Sequence, residues 1–199
     1  MSADYSGGGF PPDGHPDRLR WNARYAGGFV PSFTPHPLAV RALAADLPDG
    51  PVADLACGPS GSALLAAARG RRVTAVDFSE LALGLLGDEA RRRGLDHLIA
   101  LIHADLAAWR PLPGSYALVL CTGFWDRAVF IPAAEAVTAG GLIAWEAFTA
   151  EARRTRPDLS PDWCLAPGEP ASLLPAGFTV LDQQDRPELM RRQLLARRQ

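Results

Sequence analysis

Three aspartates stand at or beside the ends of apolar runs: Asp54 in Val52-Ala53-Asp54-Leu55-Ala56, Asp77 directly after Val73-Thr74-Ala75-Val76, and Asp105 in Ile102-His103-Ala104-Asp105-Leu106. A carboxylate at the carboxyl end of a buried strand can accept hydrogen bonds from both hydroxyls of a ribose. Between the first two runs lies Ala56-Cys57-Gly58-Pro59-Ser60-Gly61, a glycine-containing turn that lets backbone approach a ligand closely. Any one of these aspartates is as readily a helix N-cap or a solvated loop group. Three in one register, at the ends of three successive strands, would meet on one rim, which favours ligand binding.

The turn narrows the ligand. A dinucleotide site needs G-x-G-x-x-G, so that a pyrophosphate rests on exposed N–H groups at a helix start. Here Ala56 stands at the first glycine, and Gly61 follows Gly58 by three. A cofactor with ribose and adenine but no phosphate tolerates that departure, and S-adenosylmethionine fits the description.

These side chains need a particular set of elements to bring them together. The runs at Val52, Val73, Leu98–Ile102, Tyr116–Leu120 and Leu142–Trp145 are short and almost continuously apolar, as strands buried on both faces are. Helical stretches lie between them: Ser62–Arg69 before Gly70, Ser79–Arg93 before Gly94, and Asp126–Thr138 before Gly140-Gly141. Two short helices are expected ahead of the first strand, one from Asp17 and one over about 36 to 47. After the fifth run come Phe178–Leu181 and Leu189–Ala196, too close together to pair other than antiparallel. The expectation is α/β: a doubly wound, Rossmann-like, mostly parallel seven-stranded sheet closed by an antiparallel C-terminal hairpin. Residues 1–16, with a Gly triplet and a Pro pair, read as a flexible tail, and 17–199 as a single domain.

With 199 residues, 48% of them hydrophobic, the chain can bury one sizeable core. A net charge of −2 gives no basic field for nucleic acid, even though all twenty basic residues are arginine. No apolar run is long enough to cross a bilayer and no signal peptide is evident, so a cytoplasmic protein with no membrane partner is expected. Cys57, Cys121 and Cys164 lack ligand or disulfide spacing, and no metal is expected. Monomer and homodimer both stay open.

The run VADLACGPSGSALLAAARGRRVTAVDFSELAL resembles motifs I and II of class I S-adenosylmethionine-dependent methyltransferases. IHADLAAW resembles their motif III, and LVLCTGFWDR with AGGLIAWEAF their fourth and fifth strands. The opening WNARY and the stretch GEPASLLPAGFTVLDQQD resemble the tellurite-resistance and thiopurine methyltransferase-like branch. The resemblance covers about residues 21 to 198. It implies that Asp54, Ala56 and Gly58 frame the methionine end of S-adenosyl-L-methionine and that Asp77 holds the ribose hydroxyls. Phe78 would lie against the adenine, Asp105 would meet its amino group, and Leu106 would cover the ring. Arg24 would reach the cofactor carboxylate, and Cys121 is grouped with the cofactor contacts. Ser60 departs from a common glycine.

The resemblance also implies methyl transfer to a small-molecule acceptor, with sulfur, selenium or tellurium preferred. Transfer from a sulfonium is an in-line displacement in which positioning supplies much of the catalysis. The acceptor is expected beyond strands four and five, among Trp21, Phe124, Trp125 and Phe148, with Phe29, Phe33 and Trp163 as further aromatic wall. Some of these aromatics must simply be core. Asp126 and Glu146 are candidate proton acceptors, and so are the histidines, of which His103 is nearest the rim. Arg191, Arg192, Arg197 and Arg198 read as the solvated face of the last strand. Two other functions compete: a nicotinamide-dependent reductase and a non-catalytic adenosylmethionine-binding module.

Overall fold

The computed structural model describes residues 13–199, and side-chain caps open its helices. The first twelve residues of the expected tail lie outside that range. Asp13 and Gly14 form a turn, and His15 caps α1 (Pro16–Tyr25) by accepting the Asp17 N–H at its Nδ1, 3.2 Å away. The device repeats at α2 (Pro37–Ala44), where His36 Nδ1 accepts the Leu38 N–H at 3.2 Å. In both, a proline fills the first helical position, where no N–H is needed.

The sheet then alternates with helices: β1 (Val52–Leu55), α3 (Gly61–Ala68), β2 (Val73–Asp77), α4 (Glu80–Arg92), β3 (Ile99–His103), β4 (Tyr116–Thr122), α5 (Arg127–Glu135), β5 (Val137–Phe148), β6 (Phe178–Arg186) and β7 (Arg191–Arg198). Its order is β3-β2-β1-β4-β5-β7-β6, and every neighbouring pair is parallel except β5 with β7 and β7 with β6. This is the doubly wound sheet with the antiparallel hairpin that the apolar runs imply. The order reverses at β1, so the rim above β1 and β4 is where a crevice opens in such sheets.

One face packs Leu38, Leu64, Leu86, Leu118 and Leu142 beneath α2, α3 and α4; the other packs Trp109, Trp125, Phe130 and Trp145. No helix connects β3 to β4, and the buried Trp109 covers that part of the second face.

The sequence reading places the start of the fifth strand too late. Gly140 and Gly141, taken as a helix stop, lie inside β5. The register slips between Tyr116 and Leu118, and a Cβ on Gly141 would stand 2.7 Å from the Ala117 carbonyl oxygen. The glycine therefore serves close approach at a bulge. β6 is longer than expected, because polar residues continue an exposed edge strand that the apolar count misses, and β7 keeps its expected length but lies two residues later, Leu189 ending the short 3-10 turn Pro187–Leu189 between the two strands.

Candidate active site

The turn after β1 is held from within. Ser60 caps α3, accepting the N–H groups of Ser62 and Ala63 at 3.1 and 3.0 Å while its own hydroxyl donates to Asp54 at 2.5 Å. The hydroxyl that departs from a common glycine is thus an N-cap and a clasp on the first carboxylate. Ala56 and Gly58 both take positive φ, 48° and 59°, which turns the chain sharply at the strand end. Asp77, at the tip of β2, accepts the Gly58 N–H at 2.7 Å and the Ser79 N–H at 2.8 Å, one on each oxygen. β2 and the turn are thereby tied together, and the carboxylate keeps acceptor capacity for a further donor.

Both carboxylates are buried, Asp54 2% and Asp77 8% exposed, and only neutral groups donate to them. Burial pushes Asp54 up to about 7; the Ser60 hydrogen bond offsets part of this, and the charge of Asp77 adds to it. Asp77 is raised by burial against the hydrogen bonds of Ser79, Gly58 and Phe78.

α1 lies over this region without a buried residue of its own. Arg18 donates to both oxygens of Glu80 at 3.0 and 2.8 Å and pairs with Asp13, and the Ser79 hydroxyl donates to Asn22 at 2.6 Å. The His15 ring sits 4.8 Å from that of Phe78. His103 reaches the Phe78 carbonyl at 3.1 Å and Glu80 at 3.4 Å, which binds its ring to the β2–α4 connection. Tyr25, the last residue of α1, brings its hydroxyl to within 3.1 Å of where a Gly58 Cβ would stand. Burial pushes its phenol up to about 12, with the charge of Asp77 adding to the effect. Tyr25 was missed in the sequence, although its spacing of four from Trp21 puts both rings on one helix face, 6.3 Å apart. Arg24 is exposed, 5.8 Å from the Trp21 ring. Asp105 is half-buried and accepts the Ala107 N–H at 2.8 Å, while Leu106 is 6% exposed in the core.

Across the rim a second polar cluster forms at the end of β5. Glu146 is 1% exposed and accepts from Arg191 Nη1 at 2.7 Å and Gln193 Nε2 at 2.7 Å, with His36 Nε2 at 3.3 Å. Burial alone would raise this carboxyl, but hydrogen bonds from His36, Gln193 and Arg191 outweigh it and hold it at about 2. Glu146 is therefore held as a carboxylate by its three partners. His36 has both ring nitrogens engaged, Nδ1 with Leu38 and Nε2 with Glu146. Arg191, expected on a solvated face, turns inward because it pairs across the sheet with Phe148 and shares a face with Gln193 and Glu146. Its guanidinium centre lies 4.3 Å from the Phe148 ring centroid.

The peptide that carries His36 is held by backbone contact. A Cβ on Gly61 would stand 2.3 Å from the Phe33 carbonyl oxygen and 2.5 Å from the Thr34 carbonyl carbon, so residues 33–34 cross directly over the start of α3. His36 N–H then donates to the Ser62 hydroxyl at 3.0 Å.

Two expected contacts move to the core. Cys121 is 0% exposed, on the face of β4 opposite the rim cluster; its thiol donates to the Phe124 carbonyl, 3.7 Å away, and burial raises its pKa. Trp125 is 2% exposed, wedged between Phe130 and Trp145 with ring centroids 5.5 and 6.3 Å away. Neither presents a surface to the rim. Trp21, Phe124 and Phe148 remain half-buried beside it.

Comparison with known proteins agrees with the fold. Residues 52–141, from the start of β1 into β5, match the family model described as "Methyltransferase domain". No curated protein matches the sequence. Among solved structures, one from work on conversion of a disulfide bond into a thioacetal group during echinomycin biosynthesis is similar at TM-score 0.68, with 20% identity over 91% of each chain. Geranyl diphosphate C-methyltransferase from Streptomyces coelicolor A3(2), in complex with Mg2+, geranyl diphosphate and S-adenosyl-L-homocysteine, gives TM-score 0.67 and 13% identity over 100% of this chain and 90% of that one. Phosphoethanolamine N-methyltransferase 2 from Haemonchus contortus, in complex with phosphomonomethylethanolamine and S-adenosylhomocysteine, gives TM-score 0.60 and 14% identity over 73% of this chain and 38% of that one. The fold is the Rossmann-like methyltransferase fold. Among the described residues no helix is long and apolar enough to cross a membrane.

Proposed function

We propose that the chain is an S-adenosylmethionine-dependent methyltransferase acting on a small molecule. The observation that carries this reading is the pair of buried carboxylates, Asp54 and Asp77, beside a strained turn and supplied only with neutral donors. Such a site suits a ligand that brings positive charge and hydroxyl donors of its own. S-adenosylmethionine brings both, and it supplies an electrophilic methyl group on a sulfonium that leaves readily.

In this reading the free lone pairs of Asp77 take the ribose hydroxyls, and Phe78, Asp105 and Leu106 bound the adenine. Asp54, Ala56 and Gly58 frame the methionine end, with Arg24 available to its carboxylate. The acceptor occupies the space beside Phe124, Phe148 and Trp21. The chain's contribution to the chemistry is placement of the acceptor in line and exclusion of water.

The proton accounting at the end of β5 bears on the acceptor atom. Glu146 is held at about 2 and locked by three partners, and His36 is doubly engaged, so neither takes a proton from the acceptor. An acceptor that is already ionised near neutrality fits best, which favours a thiol or its selenium or tellurium counterpart. The resemblance to the tellurite-resistance and thiopurine methyltransferase-like branch points the same way.

Calorimetric titration with S-adenosylmethionine and S-adenosylhomocysteine, with NADH as control, tests the reading. Micromolar binding of the adenosyl compounds alone is the expected result. Binding of NADH alone, in a folded sample, would replace methyl transfer with nicotinamide chemistry.

A further inference from the structure

The charge balance changes sign across the rim, and it bears on the acceptor. At the β1–β2 end, Asp54 and Asp77 lack a cationic donor. At the β5–β7 end, the single carboxylate Glu146 is already paired with Arg191, and a second guanidinium is in excess. That second group is Arg156, whose centre lies 4.8 Å from the same Phe148 ring centroid and which makes no ion pair among the described residues. Two guanidinium centres on one ring can be no more than about 9 Å apart, within reach of one small anion.

Arg191 also reaches the end of β4, its Nη1 3.7 Å from where a Gly123 Cβ would stand. Of its five N–H groups, one bonds Glu146, leaving an open side of the planar fork. It lines a hollow of about 400 Å³ with Thr149, Leu165 and Met190. The two carboxylates on that hollow are spoken for, Asp185 by Arg192 and Glu151 by Arg154 at 2.9 Å. Two like charges beside one aromatic ring repel each other, and a bound oxyanion would offset that repulsion.

Resting on the methyl-transfer reading, we propose that the acceptor carries an oxyanion group, which Arg191 and Arg156 bind beside Phe148.

A matched pair of probes tests this: 4-mercaptobenzoate and 4-mercaptobenzamide, which differ at the charged group alone. Their binding is measured by calorimetry with the free protein and with protein saturated in S-adenosylhomocysteine. The acid is expected to bind about tenfold tighter than the amide at low salt, the advantage shrinking as salt is added. Arg156→Gln, at an exposed position outside the cofactor set, should remove most of that preference and leave S-adenosylhomocysteine affinity unchanged. Arg191→Lys, which keeps a charge for Glu146 but loses the planar fork, should reduce it too. Equal binding of acid and amide, binding of neither, or a preference untouched by both variants would overturn the proposal. An acid preference in a protein that ignores S-adenosylhomocysteine would keep the anion site and remove methyl transfer.

Discussion

Asp54 and Glu146 stand on the same rim, one at the end of β1 and the other at the end of β5, and both are almost wholly buried. Their carboxyls are nonetheless driven apart, to about 7 for Asp54 and about 2 for Glu146. Burial raises both. The difference lies in the donors: Asp54 has one neutral hydroxyl, whereas Glu146 has a guanidinium, an amide and an imidazole. A buried carboxylate without a cation is an incomplete arrangement that a positively charged ligand completes; one with a cation is structural and passes its partner's remaining donors to whatever lies beyond. In the proposed reading the two halves of the rim take ligands of opposite charge.

Removing the compensating charge should produce the largest effect. Arg191→Met leaves Glu146 buried without its guanidinium, and a loss of about 3–5 kcal/mol in urea unfolding is expected. A loss below about 1 kcal/mol would show that His36 and Gln193 suffice, and that the two carboxylates are less different than they look.

Asp54 should show itself in the pH dependence of stability. Its pKa is higher in the folded than in the unfolded chain, so the folded state holds the extra proton. Its contribution is therefore most favourable below the ordinary aspartate range and is lost as pH rises towards about 7. The slope approaches ~1.4 kcal/mol per pH unit at most, and Asp54→Asn should flatten it. Glu146 acts with the opposite sign, stabilising above the ordinary glutamate range and losing that contribution as pH falls towards about 2. Unfolding curves from pH 4 to 8 for both proteins check this; an unchanged slope in the variant would remove the contrast.

Asp77→Ala should weaken S-adenosylhomocysteine binding by about 1.5–3 kcal/mol, roughly ten- to a hundredfold, because ionic hydrogen bonds are lost. Undiminished affinity in a folded variant would take Asp77 out of the cofactor site. The smallest effect belongs to Glu80→Ala, which removes one partner of Arg18. Global stability should change by less than about 1 kcal/mol. Amide exchange in α1 should quicken while that of β1 stays the same, since α1 is held largely by polar contacts and contributes no fully buried residue.

The arrangement around Asp54 and Asp77, the half proposed for the cofactor, was legible in the sequence because its signals are local. Asp54, the turn, Ser60 and Asp77 lie within one βαβ stretch, and each sits at a boundary that apolar periodicity and capping rules locate. The other half draws His36, Glu146, Arg191 and Gln193 from distant parts of the chain, and no spacing rule connects them. The run RRQLLARR reads as an exposed basic strand until its pairing with β5 shows which arginine faces inward. Aromatic residues gave an uneven return for a related reason. Trp125 and Phe124 are adjacent, yet one is buried in the core and the other borders the rim, a distinction that residue type does not encode. Gly140 and Gly141 misled because a glycine pair serves equally to stop a helix and to admit a bulge.

The crossing of residues 33–34 over Gly61 joins these halves mechanically. Gly61 opens the helix whose cap clasps Asp54, and the peptide pressed against it runs straight into His36 and so to Glu146. A single added methyl at position 61 would act as a wedge. It would lift the crossing strap by about an ångström or more to restore ordinary contact, carrying the imidazole away from its carboxylate without altering any group that meets a ligand. Position 61 is thus a lever on the spacing between the two charge environments, and the relative placement of the reacting partners can be tuned there from outside the site.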